Sequence, residues 1–173
     1  KRGQDELERQ RKFLRQVIDL HPGLIFAKDS DGNFTLVNKS LADDFGVTPE
    51  QMVGKSDIDF NPNVEQVRNI RQDDFEVLRT RTPKFIAEEP ITGTVTGETR
   101  WFQTTKVPLT SQDDDSVQLL GVSIDITERK RAQDALQAQH TFLRQVIDLN
   151  TSFIFAKDAD GRYTLVNKAL ADH

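Results

Sequence analysis

Residues 13 to 43 read FLRQVIDLHPGLIFAKDSDGNFTLVNKSLAD, and residues 142 to 172 read FLRQVIDLNTSFIFAKDADGRYTLVNKALAD. At an offset of 129 positions the two stretches agree at 23 of 31 residues, and nothing resembling residues 44–127 follows the second. A duplication of this length is a whole domain begun twice, since solenoid units repeat every 20 to 50 residues or so. It divides the chain into an N-terminal helix over 1–20, a complete domain over 21–127, a linker helix over 128–149 and the start of a second domain over 150–173. The complete unit is long enough to enclose one apolar core, whereas the last segment is far below the size that folds unaided. A chain that opens on Lys1 and stops inside its second unit reads as a piece excised from a longer protein.

Local patterns set the order of elements. A helix is expected from about Gln4 to Leu20, then two short strands, LIFAKD and FTLVNK, around SDGN, a turn with Asp-Gly chemistry. KSLADDFG and TPEQMVG read as short helical pieces. NPNVEQVRNIRQDDFEVLRT predicts a longer helix with Asn61 as N-cap and Pro62 at the first helical position. Three strands follow, PKFIAEEPIT, TRWFQTTKVPLT and SVQLLGVSIDIT, and after Thr127 the pattern returns to helix as far as Leu149. Two strands, helices, then three strands imply an α+β domain built on one five-stranded antiparallel sheet.

Composition narrows the chemistry. The chain has no Cys, so disulfides, thiolate zinc sites and cysteine nucleophiles are excluded. Its net charge of -5 argues against a nucleic acid partner, whose binding rests on clustered Lys and Arg. No apolar run approaches the roughly 18 residues that cross a bilayer, so direct membrane insertion is not expected and a cytoplasmic location is. The run ERKRAQ reads as a solvated helix start and SQDDD as a hairpin tip, because it lacks the spaced ligands of a calcium loop. Asp57 and Asp59 in GKSDIDF are expected to cap backbone amides, and Trp101 to pack on the outer face. No nucleophile with a base, phosphate loop or metal cluster is visible, so the fragment reads as non-catalytic.

The hairpin DGNFTLVNKSLADDFG, the turn VGKSDIDF, the strand RWFQTTKVPL and the exit GVSIDITERKRAQDAL occur in an order that resembles a PAS sensor domain, over residues 13 to 135. The resemblance implies a PAS-like sheet with helices on one face, flanked by N- and C-terminal signalling helices, and makes the restart at Phe142 similar to a second PAS unit. Tandem arrays of this kind resemble the input side of sensor histidine kinases and diguanylate cyclases. Adjacent PAS and output domains of the same chain are therefore expected partners. In this family the pocket between long helix and sheet holds haem, flavin, a small metabolite or nothing. Haem usually needs a His on the long helix and adduct-forming flavin a Cys; residues 63 to 80 carry no His. Ser123 stands where the light-sensing branch has a Gln facing flavin. No cofactor is expected, and any ligand is an unidentified small molecule.

Helical periodicity places Val64, Val67, Phe75 and Leu78 on one stripe of the long helix, with Ile70 and Val77 on its shoulder and Arg71 at its centre. A buried guanidinium needs a partner. Matching the fourth strand to the family puts Phe102, Thr104 and Lys106 on the pocket side. One reading makes Arg71, Lys106, Thr104 and Ser123, with Phe102 and Val67 beside them, a site for a small carboxylate. The competing reading pairs Arg71 and Lys106 with Glu88 or Glu89, or lets Arg71 snorkel past the sheet.

The helices ahead of each copy share an apolar seam: Leu7, Leu14 and Val17 in the first, Leu136, Leu143 and Val146 in the second, interrupted by Gln10 and Gln139. The seams predict a homodimer through the flanking helices, with capping of the sheet's outer face as the alternative. Asp125 and Thr127, at the end of the last strand, are the expected relay from pocket to linker helix. The second hairpin, lacking its partner strand, is expected to be disordered, covered by another molecule or exchanged between chains. The functional reading is a sensory or relay domain; the alternative is a ligand-free spacer and dimerisation module. With neither Cys nor a suitably placed His, the purified chain is expected to show no visible absorption band, and a coloured preparation would contradict this reading.

Overall fold

The computed structural model describes residues 2–173, which form two compact units, 2–127 and 128–173. In the first unit α1 (Arg2–Leu20) leads into β1 (Leu24–Lys28) and β2 (Phe34–Val37). Then come α2 (Lys39–Asp44), α3 (Pro49–Met52), a 3-10 turn (Asp57–Asp59), α4 (Val64–Thr80), β3 (Lys84–Thr92), β4 (Thr99–Thr110) and β5 (Val117–Asp125). The five strands are antiparallel in the order β2-β1-β5-β4-β3, so the first hairpin joins the last strand and closes the sheet around it. This is the α+β sheet that the strand pattern predicts.

Local chemistry places the breaks. Asp29 Oδ1 accepts the amides of Asp31 (3.0 Å) and Asn33 (2.9 Å), and Gly32, at φ 84°, takes the left-handed step that turns β1 into β2. Thr48 and Gln51 form a reciprocal capping box around Pro49 at the start of α3. The long helix begins later than NPN suggests. Asn63, not Asn61, is the N-cap, accepting from Gln66 N at 3.1 Å, while Asn61 accepts from Asn63 N at 2.9 Å and donates to the Gln66 side chain at 3.0 Å. The first of two neighbouring asparagines thus organises the turn and the second starts the helix.

The core lies between the sheet and its covering helices. Leu24 and Phe26 of β1, Phe34 and Val37 of β2, Leu41, Met52, Phe60, Val77, Phe102 and Leu119 form one buried cluster. Phe26 meets Phe34 edge-on at 6.2 Å, and Phe34 meets Phe60 at 6.3 Å. Phe26 and Lys106 flank Gly121 of β5 in register, and a Cβ at residue 121 would stand 2.1 Å from the Phe26 ring. The missing side chain is what lets that ring lie across the strand.

Asn38, fully buried, fastens α1 to the sheet. Its side-chain oxygen accepts from Ile25 N (3.0 Å) and Leu41 N (3.2 Å), capping α2, and its amide nitrogen donates to the carbonyls of Ile18 (3.0 Å) and Gly23 (2.9 Å). Asp19 of α1 adds a bond from Lys39 N at 2.8 Å.

The second unit consists of α5 (Thr127–Leu149, beginning with the last residue of the first unit), β6 (Phe155–Lys157), β7 (Tyr163–Val166) and α6 (Lys168–Ala171). It repeats the latch: Asn167 accepts from Ile154 N and Leu170 N and donates to the carbonyls of Ile147 and Ser152, while Asp148 accepts from Lys168 N. The β6–β7 hairpin forms with Phe153, Phe155 and Tyr163 exposed. Asn38→Ala strands two amides and removes the donor to α1, and is expected to cost about 2 to 4 kcal/mol in urea unfolding.

Candidate functional site

On the inner face of the sheet, strand alternation brings polar side chains where a core would be apolar. Lys28 follows Leu24 and Phe26 inward on β1; Thr104 and Lys106 follow Phe102 on β4; Ser123 follows Leu119 and Gly121 on β5. Both lysines are 1% exposed. Asp74 of α4, itself 4% exposed, answers them: its Oδ2 accepts from Lys28 Nζ at 2.8 Å and its Oδ1 from Lys106 Nζ at 2.6 Å. Asp57, on the 3-10 turn, takes a second Lys28 bond at 2.5 Å. Glu89 of β3 lies 3.7 Å from Lys106 and accepts the Thr104 hydroxyl at 2.7 Å; Thr104 and Ser123 are 2.8 Å apart.

Electrostatics follow from this packing. Burial alone would depress the pKa of Lys28, but the charges of Asp57 and Asp74 and their hydrogen bonds outweigh it and raise the value above that of a free lysine. Burial alone would raise Asp74; Lys28 and Lys106 reverse that and hold its carboxyl below the usual range.

The expected site is therefore partly assembled and partly overturned. Phe102, Thr104, Lys106, Ser123 and Val67 are each buried and Lys106 does approach Glu89, but of the expected pocket residues Ser123 is the one that lines the cavity described below. Arg71 is exposed and takes no part, which removes both the carboxylate-anchoring and the buried-pair readings of it. Val64 and Phe75, from the same expected stripe, are exposed as well; the buried face is Val67, Ile70, Asp74 and Val77. The helix is rotated by about 70° from the phase its apolar residues suggest, because a carboxylate with two lysines to answer it outranks two apolar side chains for the inward position. Asp57, expected to cap backbone, instead pairs with Lys28, while Asp59 does cap, accepting from Ser56 N at 2.9 Å. Lys28, Asp57 and Asp74 are thus the members that sequence reasoning missed. The spacing 67, 70, 74, 77 was the available signal, since it places one acid inside an otherwise apolar helical row.

Beside the network lies a cavity of about 40 Å³, lined by Phe26, Phe34, Phe45, Phe60, Lys28, Asp57, Asn61, Glu89 and Ser123 among others. One strand connects it to the exit. Two residues beyond Ser123, Asp125 accepts from Thr127 N at 2.8 Å and from Arg100 at 3.2 Å, and Arg100 also grips Asp44. Thr127 Oγ1 accepts from Trp101 N at 2.9 Å, so the first residue of α5 is stitched to β4. The seam residues Leu7, Leu14, Val17, Leu136, Leu143 and Val146 are all exposed. Among the described residues no group of three or more His, Asp or Glu side chains is placed to hold a metal ion, and no helix is long and apolar enough to cross a membrane.

The comparisons with known proteins agree with this geometry. The chain belongs to the PAS fold family, whose pattern matches residues 18–131. It is 30% identical over 132 residues to the virulence sensor protein BvgS of Bordetella pertussis, covering 75% of this chain and 10% of that protein. To the aerobic respiration control sensor protein ArcB of Escherichia coli K12 it is 31% identical over 131 residues, 75% of this chain and 16% of that one. The PAS domain structure of Bordetella pertussis BvgS superimposes with a TM-score of 0.55 at 26% identity, over 76% of this chain and 97% of that domain. The chain thus spans a small part of the full-length relatives it matches, and its homology is to the PAS domains of sensor kinases.

The network makes stability depend on pH at both ends. Asp74 titrates lower in the folded state, so its contribution is present above the unfolded value of about 3.9 and is lost as pH falls through the folded pKa. Lys28 titrates higher, so its contribution is complete below about 10.4 and is lost as pH rises through the folded pKa. Asp74→Asn leaves two buried cations short of a partner and is expected to cost about 3 to 5 kcal/mol near neutrality. Denaturant titrations of both proteins from acid to neutral pH check this: the gap should be full at neutral pH and should narrow below about pH 4.

Proposed function

We propose that this chain is a sensory or signal-relay segment of a larger signal-transduction protein, without catalytic activity of its own, in which the state of the interior cavity sets the position of α5. The observation that carries the reading is the continuity of β5, which supplies Ser123 to the cavity wall and, two residues on, Asp125 to the joint at Thr127. A change at Ser123 strains that strand and loosens or tightens the Asp125–Thr127 and Trp101–Thr127 bonds, a two-state coupling of the kind relay requires. The sensor proteins it resembles suggest a histidine kinase as parent, with further PAS and output domains in the same chain and a cytoplasmic setting. The exposed seams of α1 and α5 support a homodimer through these helices.

A second reading, a ligand-free spacer and dimerisation module, is favoured by the cavity's size: about 40 Å³ is far below the roughly 300 to 1,000 Å³ of pockets for drug-sized ligands. Native mass spectrometry of the 173-residue chain separates the readings. A dimer carrying a small noncovalent adduct is the expected result; a dimer with no adduct supports the spacer, and a monomer removes the seam from both.

A further inference from the structure

The orientation of two hydroxyls defines what the cavity can hold. Thr104 has one proton, and it goes to Glu89 Oε2 at 2.7 Å. The 2.8 Å contact between Thr104 and Ser123 must then be made with the Ser123 proton, so Ser123 keeps only lone pairs for the cavity it lines. Glu89 and Asp57, which share that wall, are acceptors as carboxylates. Asn61 is committed to Asn63 and Gln66, and Lys28 to Asp57 and Asp74. The free capacity of the wall is thus chiefly acceptor.

Charge points the same way. The network sets the buried Lys28 and Lys106 against the buried Asp74 and Glu89 and the partly exposed Asp57, two cations against three anions, which leaves one negative charge in excess when all are ionised. Buried charge is costly unless paired. The remaining wall is aromatic, Phe34, Phe45 and Phe60, and its rings already attract cations: Lys28 Nζ lies 5.0 Å from the centre of Phe34 and Lys55 Nζ 5.9 Å from that of Phe60. For an anion the wall keeps one unbonded N–H on Lys28 and one on Asn61, fewer than its acceptors, and the arginine that would have led such a site is exposed.

We propose that the cavity takes a small protonated amine of a few heavy atoms, its ammonium group held by Glu89, Ser123 and Asp57 and its carbon against the rings of Phe34, Phe45 and Phe60. This names the ligand class of the sensing site above and rests on that reading. Binding supplies the missing positive charge, and because Ser123 accepts from the ligand while donating to Thr104, occupancy acts directly on β5.

The test is thermal unfolding of the 173-residue chain with methylammonium chloride, sodium formate or sodium chloride at equal ionic strength. Methylammonium at about ten times its Kd is expected to raise Tm by about 4 °C over sodium chloride, with no excess shift from formate. Glu89→Gln, nearly the same in shape, should abolish the response. Should that variant fail to fold, NMR contacts between labelled methylammonium and the rings of Phe34, Phe45 and Phe60 in the unaltered chain decide the matter, and their absence overturns the proposal. A shift with formate and none with methylammonium overturns the ligand class but leaves sensing in place. A response to neither probe overturns the class, and only an adduct-free native mass spectrum in addition removes the sensing reading.

Discussion

Asp74 joins the long helix to two strands that are not neighbours. Lys28 stands on β1 and Lys106 on β4, with β5 between them, and the carboxylate spans that gap with one oxygen for each ammonium. Between them β5 carries Gly121, where any side chain would strike Phe26. Each of the three charges would be costly to bury alone, so the helix, the first strand and the fourth strand reach their final positions together. An apolar trio of equal volume could match the stability. What the charges add is a fixed phase for α4, whose apolar residues spread round the helix too widely to select one.

The same inner face is where the fold departs from an ordinary hydrophobic interior. Each side chain of the polar row from Lys28 through Lys106, Thr104 and Ser123 has a hydrogen-bond partner within the network, so the space beside it is shaped by side chains that cannot readily move one at a time. Glu89 sits at an irregularity in the β3–β4 register, at the edge of the sheet, and closes the hydroxyl chain. From Ser123 the strand runs straight to the Asp125–Thr127 joint.

Much of this was legible from residue order. Two-residue alternation puts Phe102, Thr104 and Lys106 on one face of β4, and Asp-Gly chemistry with flanking β-branched and aromatic residues marks the hairpin; that this face of β4 turns to the pocket came from the family resemblance and not from local rules. The phase of α4 did not follow, because Val64 and Phe75 compete with Val67, Ile70 and Val77 and only the distant Lys28 and Lys106 decide between them. Asp57 was illegible for a related reason: its neighbour Asp59 caps the turn, and which of the two acids turns inward depends on a lysine 29 positions earlier.

The duplicated stretch shows where that boundary lies. The second copy forms the same strands with the same register, Phe155 opposite Val166 as Phe26 is opposite Val37, and the same asparagine latch to the preceding helix. Those features need only residues within about two dozen positions, and the local sequence determined them twice. Burial did not repeat: Phe26 is 9% exposed and Phe155 54%, Phe34 4% and Tyr163 59%. Lys28 and its counterpart Lys157 both lie beside the two rings of their hairpin, but Lys28 is also held between two carboxylates. Hairpin, turn and latch are short-range hydrogen-bond problems that the sequence solves alone. Core, ion network and cavity need α4 and three further strands, because charge and apolar surface leave water only when distant segments supply the other wall.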